Sequence, residues 1–467
     1  MRHLSIALGA VCLLGGCAAV GPDYTTPKLA LVTGYAEAAS KGSRVVPETR
    51  WWEGLNDPLL NRLIAEGQIS NLTVAQASQR VREAEADARA TGAEGSPDID
   101  GSVLSEATKT GGQSLSTTAT GELASGWEID LFGKYRRSRE SARATVQAAR
   151  EDLSAARLTL LGDIATAYVE ARGYQNRLDV ARRALAGKRE AVSVVQAQLQ
   201  AGGATNLDVS QAVGGAASTE ANIPALETSL HASLNRLATL LDRPVATIRA
   251  EIAKGRGVPL PRQGISAGLP ADLLRNRPDI RRAERNLAAA VADIGVREAD
   301  LYPSLSLSGS ITISAERVAG LATDGGGWAL GPSLSVPVFD SGRRKALVDV
   351  ERSQAREQYL AYRETVASAV EEVENALVSY SRERQRQVAL RRSVVAYRQA
   401  VAQSSELYKS GAADFLDLLD AQDDLYSAED KLVQSEVAIA TTHITICETL
   451  GGGWAVTSLA DKSNSGS

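Results

Sequence analysis

The chain has 467 residues, 23% of them charged, and a net charge of −5; without a basic surplus it carries no footprint for nucleic acid. Aromatic residues make up only 4%, with one Met and three Phe. That excludes a large core built on bulky side chains and suits alanine-rich helices packed closely.

Arg2 and His3 precede an apolar run from Leu4 to Leu14, the layout of a secretory signal too short to span a membrane as a helix. The run ends in Leu14-Gly15-Gly16-Cys17. Small residues before a cut also suit an ordinary signal peptide whose cysteine is incidental, but all four residues fit the lipobox of a bacterial lipoprotein. On that reading residues 1–16 are the signal peptide and 17–50 a lipidated linker. Cys17 carries a diacylglycerol and an acyl chain, and no other cofactor is expected. Cys12 leaves with the signal, so Cys447 is the only free thiol and no intrachain disulfide forms. No later apolar run approaches about 20 residues, so any further membrane crossing falls to strands.

Prolines are absent between Pro97 and Pro224 and again after Pro337. The two intervals hold segments rich in Ala, Glu, Arg and Gln near 134–200 and 343–409. Within the second, Val366, Val370, Val373, Leu377 and Tyr380 step by four and three, a coiled-coil-like seam. At 1.5 Å per residue each helix reaches about 100 Å. Both end at a glycine turn: Gly202-Gly203-Ala204-Thr205-Asn206-Leu207-Asp208 and Gly411-Ala412-Ala413-Asp414-Phe415-Leu416-Asp417. The spacing Gly-x4-Leu-Asp recurs about 209 residues apart, which predicts a duplicated unit. The first repeat occupies 51–245, a linker 246–270, the second repeat 271–455, and a tail 456–467. Pro224 is predicted to kink or break its helix.

Alternating segments lie between the helices, near 98–108, 119–131, 304–315 and 328–339. Leu305, Leu307, Ile311 and Ile313 fall on one face and Ser304, Ser306, Ser308 and Ser310 on the other. Such alternation marks either a soluble hairpin with one wet face or a transmembrane barrel strand. Four strands cannot close a barrel, and open edges are not tolerated in lipid, so a membrane role requires several chains; three give twelve strands. Gly325-Gly326-Gly327 is predicted to be the loop between the last two strands. His231 and His443 stand alone, without metal-ligand spacing, and no catalytic constellation is present.

Five motifs, spread over nearly the whole chain, resemble the NodT-type lipoprotein branch of TolC-like outer-membrane efflux channels. They are Val20-Gly21-Pro22-Asp23-Tyr24; Trp51-Trp52 followed by Asp57-Pro58-Leu59; Trp127-Glu128-Ile129-Asp130-Leu131-Phe132-Gly133; Leu269-Pro270-Ala271-Asp272-Leu273-Leu274-Arg275-Asn276-Arg277-Pro278-Asp279; and Pro337-Val338-Phe339-Asp340-Ser341-Gly342-Arg343. The resemblance implies a mainly α fold with a membrane β-barrel. Three copies would form a 12-stranded barrel in the outer membrane and a 12-helix α-barrel in the periplasm. The homotrimer would be the passive exit duct of a tripartite pump, conducting drugs or other small toxic compounds. Its partners would be a periplasmic adaptor, an inner-membrane transporter of the resistance-nodulation-division type, and outer-membrane lipid. A duct for metal ions or for type I protein secretion is the alternative within the family. A periplasmic adaptor lipoprotein is the rival outside it, and would have one hairpin without duplicated strand pairs.

At the tips the resemblance assigns Asp417, Asp420 and Tyr408 to a periplasmic gate. Asp208 would accept a hydrogen bond from the tyrosine, and Leu416 would pack the closed state. Gly202, Gly203, Gly411 and Ala412 would face the adaptor. The plainer reading of Asp417 and Asp420 is acids in a helix's first turns; Asp414 is read as an N-cap. Arginines that some relatives carry at the positions of Ala413 or Asp423 are missing here.

Overall fold

The computed structural model describes residues 19–29, 34–35, 50–112, 114–255, 257–261, 274, 276–319 and 321–452. The signal segment, Cys17, much of the 17–50 linker, residues 256 and 262–270 of the second linker and the tail from 456 onward lie outside the described residues, as does most of the motif Leu269 to Arg275. A short turn Trp51–Leu55 leads to α1 (Pro58–Ser70), α2 (Leu72–Ala93), β1 (Asp98–Thr108), β2 (Ser116–Ile129), α3 (Lys134–Gln200), α4 (Asn206–Leu241) and α5 (Val245–Ile252). Then follow α6 (Pro278–Ala299), β3 (Ser304–Val318), β4 (Leu321–Ser335), α7 (Arg343–Lys409) and α8 (Phe415–Thr449). The two long helices, α3 and α7, have 67 residues each. Both are followed by a glycine in the left-handed region, Gly202 at φ 76° and Gly411 at φ 74°, where a side chain would be strained. None of the described helices is long and apolar enough to cross a membrane.

Two compact units are interleaved along the chain. One comprises Met1–Leu29, Gln79–Glu151 and Ile280–Thr365; the other Ala30–Ser78, Asp152–Asp279 and Val366–Ser467.

The first unit is built on a four-stranded antiparallel sheet in the order β1-β2-β3-β4. Its register aligns the alternation of every strand. Leu123 sits opposite Ile311, Trp127 opposite Leu307, Ile311 opposite Trp328 and Leu305 opposite Leu334. One face therefore gathers Val103, Leu123, Trp127, Leu305, Leu307, Ile311, Ile313, Trp328, Leu330 and Leu334, with Leu104, Val318 and Leu321 on the other. The apolar face is bare: Val103 is 87% exposed, Trp328 80%, Leu330 68%. Serines and threonines of β3 occupy the other face beside Glu122 and Ala124 of β2. Two expectations are corrected. Gly325, Gly326 and Gly327 do not form the hairpin loop; they pair inside β4 with Ser314, Ile313 and Thr312. β3 runs on to Val318 and carries the ladder past them, pairing with Leu321 at its end. The strand expected over 328–339 stops at Ser335, which pairs with Ser304, the first residue of β3, so the ladder has no further partner.

In the second unit the Trp51-Trp52…Asp57-Pro58 motif closes a core. Asp57 caps α1 by accepting from the backbone of Leu59 and Leu60 at 2.9 and 3.2 Å, and Pro58 opens the helix where no N–H is needed. Leu60, Leu63 and Ile64 are wholly buried against Ile164, Tyr168, Leu237 and Leu241, each contributing about 1.5–3 kcal/mol. The Tyr168 hydroxyl donates to Asp57 at 2.6 Å, and Arg172 bridges Tyr168 to the Ile252 carbonyl. The Arg277-Pro278-Asp279 motif works in a similar way. The Arg277 guanidinium, 10% exposed, holds Asp279, Glu372 and the Thr449 carbonyl at the end of α8. Pro224 lies inside α4 without ending it. It is exposed, so water can serve the carbonyl that its missing N–H leaves free.

Candidate functional site at the hairpin tips

α3 and α4 make one hairpin and α7 and α8 the other. Their tips differ although their sequences are related. At the first tip Thr205 and Asp208 form a reciprocal capping box: the Asp208 carboxylate accepts from the Thr205 N–H and hydroxyl, both at 2.8 Å, while the Asp208 N–H donates back at 3.3 Å. Asp414 stands at the matching position of the second tip, but its side chain makes no cap hydrogen bond. The expected cap is thus placed correctly on the chain and does not cap. Asp417 and Asp420 are exposed in the first turns of α8. Asp424 completes the same stripe at three- and four-residue steps.

Tyr408 is 6% exposed and packs with Ala191, Val195 and Ala212 of the first hairpin and with Phe415 and Leu418 of its own. Its ring meets Phe415 edge-on with centroids 5.4 Å apart. The expected hydrogen bond to Asp208 is not formed; the Tyr408 hydroxyl is buried without a partner among the described residues. Asp208 is already engaged by Thr205. Burial, and then the nearby Asp208 charge, push the Tyr408 phenol above its ordinary value of 10. Leu416 is 48% exposed, so within one protomer the packing expected of it falls to Phe415 and Leu418. Gly202, Gly203, Gly411 and Ala412 are all exposed at the turns.

Lys188 is the residue that the sequence left unmarked. Its side chain is 4% exposed and its ammonium is paired with Asp423 of α8, while it also donates to the Gly215 carbonyl of α4 at 3.3 Å. One lysine therefore ties three helices. Gly215 also lets α8 pack close: a Cβ there would lie 3.1 Å from the Leu419 side chain. Farther along, Arg177 grips Asp430 with two hydrogen bonds of 2.6 and 3.1 Å, and Arg183 reaches Glu429 at 3.5 Å. The second hairpin is held to the first by charges, where some relatives are expected to use arginines at the tip itself. Lys188 and Asp423 are 235 residues apart, and no local pattern announces such a pair.

No group of three or more metal-ligating side chains occurs among the described residues. His231 meets Arg249 at 2.9 Å, and burial lowers His443 to about 4.

Paired long hairpins and a sheet with one bare apolar face fit the class of channel-forming membrane proteins. The chain belongs to the outer membrane efflux protein family, whose profile matches residues 63–243 and 269–452. Nodulation protein T of Rhizobium leguminosarum bv. viciae is 38% identical over 462 residues, covering 98% of this chain and 96% of that one. The pyoverdine export outer membrane protein OpmQ of Pseudomonas aeruginosa is 30% identical over 469 residues, 97% of each chain. Among solved structures, the outer-membrane channel OprN superposes with a TM-score of 0.84 at 35% identity, over 93% of this chain and 99% of that one.

Proposed function

We propose that three copies of the chain assemble into the exit duct of a tripartite efflux pump. The trimer closes a 12-stranded barrel in the outer membrane and a 12-helix barrel in the periplasm, is anchored by acylated Cys17, and opens at the hairpin tips. A periplasmic adaptor meets the turns at Gly202–Gly203 and Gly411–Ala412, and an inner-membrane transporter of the resistance-nodulation-division type supplies the energy. The cargo is small organic compounds, in line with the pyoverdine export named for one relative.

The observation that carries this reading is the sheet. Its apolar face is continuous across four strands and exposed, and β1 and β4 each have a free edge in the chain taken alone. In lipid those edges must be paired, and the twelve strands of three copies leave room for a channel where eight would fill with side chains. Native mass measurement of the detergent-extracted protein should give a trimer. Leu307→Arg or Leu330→Arg, each placing a cation on the lipid face, should cost about 2–4 kcal/mol near the bilayer midplane and reduce the folded trimer recovered from membranes. A monomer, or arginine variants that assemble like the parent, overturns the assignment.

A further inference from the structure

We propose that the groove between α3 and α6 in the sheet-bearing unit holds the phosphate of an anionic phospholipid from the inner leaflet of the outer membrane. The groove has a volume of about 520 Å3, and Arg136, Arg139 and Arg143 of α3 line it with Arg285 of α6, Glu140 and Tyr24. Steps of three and four residues bring Arg136, Arg139 and Arg143 toward one side of α3. The acids nearby are already spoken for. Glu140 accepts from Arg137 at 2.8 Å, and Glu284 accepts from Arg285 at 2.5 Å. Arg139 donates to the Tyr135 carbonyl of its own helix, and neither Arg139 nor Arg143 has a carboxylate partner among the described residues. Arg136 lies 3.9 Å from Asp130 and Arg285 is paired with Glu284, so Arg139 and Arg143 are the guanidinium groups that the groove leaves without a carboxylate, and their planar forks match phosphate oxygens.

Its level is set by the N-terminal strap. The Val20 N–H donates to the Phe132 carbonyl at 3.0 Å, and Arg137 grips the Val20 and Gly21 carbonyls at 3.1 Å each and Asp23 at 2.8 Å. A Cβ on Gly133 would lie 2.5 Å from the Ala19 side chain, so the strap lies directly on the turn between β2 and α3. Cys17 is two residues before Ala19, at most about 7 Å of chain. Acylation there, with the foot of the sheet at Ile129, puts the headgroup layer at Gly133. Along a helix that rises 1.5 Å per residue, Arg136 and Arg139 lie roughly 5–9 Å below it, within reach of a long side chain turned toward the membrane, and Arg143 lies one turn deeper along the same groove. A lipid anchor must lie outside the channel, so the groove beside its strap opens toward lipid. This rests on the membrane placement and Cys17 acylation proposed above.

Native mass spectrometry of the full-length protein in detergent, with dioleoyl phosphatidylglycerol, dioleoyl phosphatidylcholine or inorganic phosphate added, tests it. The parent should retain phosphatidylglycerol in preference to phosphatidylcholine. The double variant Arg139→Gln/Arg143→Gln should lose roughly tenfold in that retention, while Arg82→Gln, an exposed arginine of α2 that does not line the groove, should lose none. Equal retention by parent and double variant overturns the proposal, as does equal retention of the two lipids. Displacement of the lipid by inorganic phosphate at the same concentration assigns the groove to a soluble anion and overturns it too. If the double variant does not fold, the parent decides: retention must fall as salt is raised, and retention indifferent to salt refutes the site. The intact protomer mass in the same spectra reports acylation separately. A bare Cys17 sinks the anchor, and an acylated chain that retains no phosphatidylglycerol sinks only the groove.

Discussion

The two hairpin tips start from related sequences and end in opposite states. The first satisfies itself: Thr205 and Asp208 close a reciprocal box within four residues. At the second, the Asp414 cap is unused, Leu416 is exposed, and Asp417 and Asp420 face outward. It leans on the first hairpin, through Tyr408 and Phe415 packed on Ala191 and Ala212 and through the Lys188–Asp423 pair. If the tips part on opening, as proposed above, the second hairpin, which lacks a cap of its own, is the one whose release costs less.

The Lys188 tie gives the largest effect that can break this comparison. Asp423→Ala leaves a buried ammonium with only the Gly215 carbonyl. The loss is about 2–3 kcal/mol, below that of a fully buried pair because the Asp423 side chain is 51% exposed. Resting conductance in planar bilayers should rise in Asp423→Ala and, through loss of the same tie, in Lys188→Met. A closed channel in both variants would show that the second tip does not depend on the first.

Next in size is the charge at the second tip. Three copies would bring six carboxylates from Asp417 and Asp420 into one mouth, which favours cations. Asp417→Ala/Asp420→Ala should lower cation over anion selectivity, measured as a reversal-potential shift. Asp208→Ala should leave it unchanged, since that carboxylate is turned into its own cap. Unchanged selectivity in the double variant returns Asp417 and Asp420 to ordinary first-turn acids.

Much of this arrangement could be read from the sequence. Missing prolines and charge-laced helical periodicity placed α3 and α7, and the repeated Gly-x4-Leu-Asp placed both turns, because helix ends are local events. The strand faces followed from period two. What escaped depended on partners remote in the chain. Lys188 looks like any surface lysine of a charged helix until α4 and α8 close over it. The Gly325–Gly327 run reads as a loop because its pairing is dictated by β3. Asp208 was given the wrong partner for the opposite reason: Thr205, three residues away, competes better for its carboxylate than Tyr408.

The ends of the hairpins remote from the tips also differ, and pH sharpens that difference. Glu448 of α8 packs over Gly162; burial first, and then the charge of Asp163, raise its carboxyl from 4.5 to about 8. The first repeat has Thr239 at the corresponding place, bonded to its own helix at 3.1 Å. An unfolded chain ionises Glu448 from about 4.5 upward, whereas the folded one keeps its proton to about 8. Stability must therefore fall as pH rises through that window. Glu448→Gln should remove this slope, melting higher than the parent at pH 8 and like it at pH 4. A parallel pair of melting curves would mean that Glu448 is ionised in the assembled channel.

The smallest effect isolates the caps themselves. Thr205→Ala removes the hydroxyl that accepts from Asp208 and should cost about 1 kcal/mol at the first tip, seen as about fivefold faster hydrogen exchange of the amides at the start of α4. Asp414→Ala at the second tip removes a side chain that makes no cap bond; only its weak attraction to the helix dipole is lost, a few tenths of a kcal/mol, and exchange there should barely change. If the two substitutions speed exchange equally, the second tip is as self-sufficient as the first. If only Thr205→Ala does so, the asymmetry resides in the turn sequences, where Thr205 and Asp414 occupy equivalent places 209 residues apart.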